Sequence, residues 1–270
     1  MAVGDVNGDG YSDFFFGYYH AQVEGWDSPG HSGVLWGILG SAALSSSYDL
    51  DAGEFDFKTY GTPASYGLGA LVTTGDLDDD GFDELIIQIT DSPHGAVAVI
   101  TGAEDFGGTG DIDVFTDSSG SYPVNQGYSG LATGDFNGDG LDDLAIGNSF
   151  ASPESRSWAG ATYLFVGGED LLSGSYDATT DSDLLIQGHE AGDYFGFQIA
   201  MGDLNGDGLD DLVANSPNAD KSGRSNAGRV YFFMGTTHVP EPGAMIATAA
   251  ALLSLAALRR RRIRPAASPQ

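Results

Sequence analysis

Apolar residues in this chain of 270 residues fall in short runs bounded by Gly, Asp, Asn, Ser and Pro. Phe14-Phe15-Phe16, Leu85 to Ile89, Leu144 to Ile146 and Leu212 to Ala214 are too short for amphipathic helices and predict buried strands. After each comes a polar loop and a second apolar run led by small residues: Ser32 to Trp36, Gly95 to Ile100, Ala159 to Phe165 and Ala227 to Phe233. A further short strand is clearest at Leu184-Leu185-Ile186-Gln187-Gly188. Ahead of the first runs, stretches of aromatic, Gly and small residues (Tyr66 to Gly69, Tyr128 to Ala132, Phe195 to Ala200) predict another strand. About four short strands per unit, joined by turns, predict an all-β chain.

Between the two kinds of run lies one motif, present four times: Gly4 to Asp13, Gly75 to Glu84, Gly134 to Asp143 and Gly202 to Asp211. Its first Asp residues, Asp5, Asp76, Asp135 and Asp203, are 71, 59 and 68 residues apart, the mark of a repeat architecture. A four-stranded sheet repeated at this period is a propeller blade. Residues 41–102, 103–168 and 169–235 read as three whole units and 1–40 as the later half of another, about three and a half blades.

Counting from that first Asp, oxygen-bearing side chains stand at positions one, three, five and nine: Asp5, Asn7, Asp9, Asp13; Asp76, Asp78, Asp80, Glu84; Asp135, Asn137, Asp139, Asp143; Asp203, Asn205, Asp207, Asp211. Gly at position six permits a sharp positive-φ turn. The backbone carbonyls of position seven, at Tyr11, Phe82, Leu141 and Leu209, can add a further oxygen. An all-oxygen cage suits calcium rather than a soft metal. Uncompensated, each close carboxylate pair would repel by roughly 1–4 kcal/mol at about 4 Å. One such loop could equally be a polar turn capped by Asp and Asn; four at a regular period favour up to four calcium ions. Position twelve is Phe16, Ile87, Ile146 and Ala214, apolar and in strand-like runs, which excludes the helix-flanked loops that need a carboxylate there.

The aromatic-Gly stretch, the Asp-x-Asn-x-Asp-Gly-x-x-Asp loop and the small-residue strand together resemble FG-GAP repeats, as in the integrin α propeller, over roughly residues 1–235. The resemblance implies a β-propeller of FG-GAP blades, calcium between the first two strands of a blade, and a role in adhesion or ligand binding. Two departures stand out: Glu84 replaces Asp at position nine, and full propellers of this kind usually have seven blades.

Composition sharpens this picture. Net charge is −29, and five of the ten basic residues are Arg259, Arg260, Arg261, Arg262 and Arg264, so the acidic body has no means of binding nucleic acid through its phosphates. With no Cys, disulfide scaffolds and thiolate chemistry are excluded. The five His residues share no metal spacing, and no nucleophile elbow, phosphate loop or dinucleotide fingerprint occurs, so a non-enzymatic module is expected. A linker over 236–243 carries Pro240-Glu241-Pro242, and 244–264 holds an apolar run, Ala244 to Leu258, followed by the Arg cluster. The run is apolar around its whole circumference and ends in a membrane-stop charge pattern, which predicts a C-terminal hydrophobic helix. In that order the three parts resemble the bacterial PEP-CTERM sorting signal. That implies export, transient anchoring in the inner membrane, processing by an exosortase-type protease, and release to the cell surface or extracellular matrix. Met1 opens no signal peptide and aligns with the middle of a blade, so an N-terminal part is expected upstream. Loops Tyr18–His31, Ser149–Trp158 and Ser216–Asn226 are the candidate contacts for an extracellular protein or polysaccharide. The alternative is the accessory propeller of an exported hydrolase.

Overall fold

The computed structural model describes residues 1–21, 33–61, 67–89, 95–107, 120–124, 129–172, 174–220, 223–237 and 247–248. They form four sheets, in the all-β, propeller-like fold expected. The first sheet holds β1 (Ala2–Gly4), β2 (Asp13–Tyr18), β3 (Val34–Ile38) and β4 (Phe57–Tyr60), in that order and antiparallel. The second holds β5 (Val72–Gly75), β6 (Glu84–Ile89), β7 (Gly95–Ile100) and β8 (Gly120–Val124). The third starts with β9 (Gly130–Gly134), β10 (Asp143–Asn148) and β11 (Ala161–Phe165). Two four-residue helices follow, α1 (Glu169–Leu172) and α2 (Ala178–Asp181), with β12 (Gly174–Ser175) between them pairing parallel to β8. The third sheet is then completed by β13 (Leu184–Gln187). The fourth sheet is β14 (Ile199–Gly202), β15 (Asp211–Ser216) and β16 (Arg229–Phe233).

These sheets are offset by one strand from the repeating units of the sequence. Phe57–Tyr60 falls inside 41–102 yet hydrogen-bonds to β3, and Leu184–Gln187 falls inside 169–235 yet pairs with β11. Each unit thus closes the sheet of the one before it. A second difference concerns the aromatic-Gly stretches. Leu68 and Phe195 make single parallel bridges, to Gly33 and Gly160, and the next residues, Gly69 and Gly196, turn at φ 81° and 78°. Such φ values cannot continue a ladder, so the strands begin later, at Val72 and Ile199.

Strand pattern follows position in the stack. All six residues of β6 and of β10 are buried, because these strands lie in sheets covered on both faces. Apolar residues collect into three clusters, one at each joint between successive sheets. Val6, Phe15 and Leu35 meet Leu85 and Ile87; Leu77, Ile86 and Val99 meet Leu144 and Ile146; Phe136, Ala145 and Leu164 meet Leu212 and Phe233. Each fully buried Leu, Ile or Phe contributes about 1.5–3 kcal/mol. The first strands β1, β5, β9 and β14 lie side by side along the stack, where Thr74 donates to Val3 O at 3.0 Å and Thr133 to Thr74 O at 2.6 Å.

Of the expected C-terminal helix, only Ala247–Thr248 is described, as a two-residue strand β17 parallel to β13; the rest of 244–264 and Pro240-Glu241-Pro242 lie outside the described residues. No helix among the described residues is long and apolar enough to cross a membrane.

A glycine after each third strand leaves no room for a side chain: a Cβ on Gly167 would sit 2.5 Å from Asp142 O and 2.8 Å from Leu141 Cβ. Gly167→Ala is therefore expected to destabilise the chain by about 1–3 kcal/mol, read as a lower urea midpoint at unchanged slope.

Candidate functional site

Each motif forms a loop between the first and second strands of its sheet. In the first, the Asp5 carboxylate accepts the N–H groups of Asp9 at 3.1 Å and Gly10 at 2.8 Å, Asn7 Oδ1 accepts from Asp9 N–H at 3.1 Å, and Asp9 Oδ1 accepts from Tyr11 N–H at 2.9 Å. The same bonds recur around Asp135, Asn137 and Asp139, and around Asp203, Asn205 and Asp207. In the second loop Asp76 accepts from Asp79 and Gly81, Asp78 from Asp80, and Asp80 from Phe82. Position six turns at φ 85–95° in all four loops, as Gly allows. Position four also has positive φ: Gly8, Gly138 and Gly206 occupy it, and Asp79 stands there at φ 63°. These N–H bonds hold the side-chain oxygens of each loop in place. N–H donation from Gly208 and Gly206 holds the Asp203 carboxyl below its ordinary range.

Position nine has a different setting. Asp13, Glu84, Asp143 and Asp211 are all fully buried at the start of the second strand. One oxygen accepts the N–H of position two: Val6 at 2.9 Å, Leu77 at 2.7 Å, Phe136 at 3.0 Å and Leu204 at 3.2 Å. In three loops the other oxygen accepts the N–H of the glycine after the third strand, Gly40 at 2.7 Å, Gly167 at 2.9 Å and Gly235 at 2.8 Å. Burial pushes Asp143 up to about 8, against the pull of these N–H donors.

Glu84 departs from that pattern. Its Oε1 is buried and makes no hydrogen bond, although the N–H of Gly102, the counterpart of Gly40, Gly167 and Gly235, is near enough to pull the carboxyl down. Burial pushes Glu84 up to about 8. Asp76, Asp78 and Glu84 each bring a carboxylate oxygen within 4.8 Å of the others. Carboxylates so gathered, one with an orphaned oxygen, form a donor set that fits a hard divalent cation.

Tyr11, Phe82, Leu141 and Leu209 belong to the loops through their backbone. Their N–H groups donate to position five, while the side chains of Phe82 and Leu209 pack on Gly8 and Gly138 of the preceding loop. Position eight of the second, third and fourth loops (Asp83, Asp142, Asp210) joins each loop to the one before it, a role the oxygen count did not anticipate. Asp83 N–H donates to Asp5 O and Asp83 Oδ2 accepts from Asp5 N–H, both at 2.9 Å; Asp210 bonds Asp135 in the same reciprocal way at 2.9 and 3.1 Å. Asp142 N–H donates to Asp76 O, and burial followed by the nearby Asp83 and Asp210 pushes its carboxyl up to about 6. The recurring carboxylate at position eight was the available signal.

Of the three candidate ligand loops, 22–31 lies outside the described residues. In Ser149–Trp158, Trp158 is exposed and stacks on Tyr194 at 6.0 Å, and Phe150 meets Tyr194 edge-on at 5.6 Å. Trp158 and Tyr194 both have φ 55°. Ser216–Asn226 is described except at 221–222.

The FG-GAP repeat family matches residues 127–165 and 195–233, the second strand and loop of the third and fourth sheets included. Phosphatidylinositol-glycan-specific phospholipase D of Mus musculus is 31% identical over 201 residues, covering 71% of this chain and 23% of that protein. The Bos taurus protein of the same name is 29% identical, covering 63% and 21%. Integrin alpha-PS2 of Drosophila melanogaster is 28% identical, covering 76% and 14%. The chain thus spans less than a quarter of the length of these relatives. Among solved structures, the exotype rhamnogalacturonan lyase YesX aligns at a TM-score of 0.46 and 15% identity, covering 78% of this chain and 37% of that one.

Because Asp143 accepts backbone N–H groups at both oxygens, Asp143→Asn would turn an amide donor against a backbone donor. The expected loss is about 1–3 kcal/mol in chelator, measured by chemical unfolding.

Proposed function

We propose that the chain is an exported, calcium-dependent binding module of the FG-GAP propeller kind, which engages an extracellular protein or polysaccharide through loops at the sheet ends. The observation that carries the calcium reading is the second loop, where Asp76, Asp78 and Glu84 each bring a carboxylate oxygen within 4.8 Å of the others and Glu84 Oε1 is buried without a hydrogen bond. Asp80 and the Phe82 carbonyl would complete that set, and the corresponding residues of the other three loops would hold up to three more ions. A divalent cation there would offset the mutual repulsion of the carboxylates and replace the water lost on burial. The protein's own part is to fix the oxygens beforehand, through the N–H bonds within each loop. Exposed aromatics at Phe150 and Trp158 support ligand contact at the loop Ser149–Trp158, since an aromatic face offers apolar area with little entropy to lose.

The tail reading belongs to the same proposal. Pro240-Glu241-Pro242, the apolar run and the Arg cluster direct the chain through an inner-membrane anchor and exosortase-type processing to the surface or matrix. No catalytic constellation is assigned to the chain. A second reading, an accessory propeller of an exported hydrolase, is supported by relatives named as phospholipases D that match it over less than a quarter of their length.

Thermal unfolding of the full chain in mild detergent, with calcium or with chelator, tests the metal. The melting temperature should climb with calcium, by the equivalent of about 2.7 kcal/mol once calcium is a hundredfold above Kd. A folded chain with no response would sink the proposal. Glu84→Gln should melt close to the parent in chelator, because Oε1 loses no hydrogen bond, and should show a smaller calcium-induced rise.

A further inference from the structure

The three joints between successive sheets repeat one more contact beside the loops. The glycine after the third strand is followed by a residue whose N–H donates to the position-two carbonyl of the loop on the sheet before it. Ala103 donates to Val6 O at 2.9 Å, Gly168 to Leu77 O at 2.6 Å and Thr236 to Phe136 O at 2.9 Å. The next residue along, Glu104, Glu169 or Thr237, is thereby brought to the edge of the preceding loop. At the third joint that closeness is measured: Thr237 Cγ2 lies 3.2 Å from where a Cβ on Gly138, position four of the loop, would stand.

At the second joint this place belongs to Glu169, the first residue of α1. The helix is anchored on both sides of it. Before it, Gly168 N–H holds Leu77 O, and Gly168 O accepts the N–H of Leu171 at 2.8 Å. After it, Leu171 and Leu172 are buried in the same apolar cluster as Leu77, position two of the second loop. Glu169 itself is exposed. Burial above all, and then the charges of Asp80, Asp76 and Glu169, raise the Asp78 carboxyl above its ordinary value, against the pull of the Asp80 N–H. Of these charges, that of Glu169 alone comes from another sheet. Beside Asp76, Asp78, Asp80 and Glu84, a fifth carboxylate adds only repulsion to the metal-free chain.

We infer that Glu169 is a further ligand of the cation in the second loop, supplied by the third sheet, so that one ion is gripped from both sides of the joint. The inference rests on the calcium reading of that loop. Asp76, Asp78 and Glu84 already bring oxygens within 4.8 Å of one another, and Glu84 Oε1, buried without a hydrogen bond, points to a ligand independently of the number of acids. Calcium takes roughly six to eight oxygens in flexible geometry, more than the loop's four side chains and one carbonyl supply singly. A group from outside the loop therefore has a place to fill. An exposed Glu on an anchored backbone suits it, because its side chain turns toward the ion without giving up any burial. The ion then fastens α1 and the end of β11 to the loop of the sheet before, and calcium strengthens the joint as well as the loop.

Calorimetric titration of calcium into the chelator-stripped full chain, in mild detergent and about 0.15 M salt, tests it, since distant surface charges are largely screened under those conditions. Glu169→Gln should weaken one site about tenfold or more and leave the others as they were. In chelator it should melt no lower than the parent, because no buried contact is lost and one like charge is removed. On an Asp80→Asn, Glu84→Gln background, where the second loop has lost two carboxylates, Glu169→Gln should change the titration no further. Amide exchange at Gly168 should slow when calcium is added to the parent and stay as it was in Glu169→Gln. A parent that takes up no calcium overturns this inference together with the reading it rests on. A parent that does, with Glu169→Gln titrating identically, overturns the inference alone. Equal weakening of every site, or the same weakening on the double-substituted background, makes Glu169 a remote charge and overturns it too.

Discussion

A buried carboxylate held by backbone N–H groups is the fixed point of every sheet. It stands at the first residue of the second strand, where Asp13, Asp143 and Asp211 each tie the start of the loop to the glycine that ends the third strand. Removing a carboxylate from water is costly unless its lone pairs are answered, and here two peptide groups answer them. The bonds set where the loop begins and where the third strand stops. The crowding at Gly167 follows from that closeness. The second sheet keeps the position-two bond but leaves Glu84 Oε1 unanswered, so its loop has the most to gain from a cation.

The loops were legible in the sequence because their demands are local. Alternating oxygens, a positive-φ glycine at position six and an apolar position twelve are read off ten or so consecutive residues, and the structure turns position six at positive φ and sets position twelve inside the second strand. Which strand pairs with which was harder, since the hydrogen-bond partner of Phe57–Tyr60 is not encoded in its own apolar pattern. The aromatic-Gly stretches misled for a related reason. Their apolar residues are buried, Leu68 and Phe195 fully so, but by a turn packed on a neighbouring backbone and not by a ladder. Position eight escaped notice because nothing local marks an Asp beside candidate metal ligands as the partner of another loop. Only the fold shows that Asp83 and Asp210 face the preceding loop.

Position in the stack modulates identical sequence signals. The run Leu85 to Ile89 is buried on both faces, whereas Phe14 at the matching place in the first sheet is 37% exposed. Sequence alone gives both runs the same reading. What differs is whether another sheet lies against them, a property of order along the chain and not of composition.

Each repeating unit also carries an inheritance. It brings a strand that finishes the sheet before it, a loop of its own, and both halves of the joint to its neighbours. A gene encoding such a chain can therefore gain or lose a whole unit by unequal recombination without any new surface having to arise, since every fresh boundary is one the molecule already knows how to make. Variation in unit number is then neutral at the joints, and selection on it acts through the number of loops displayed.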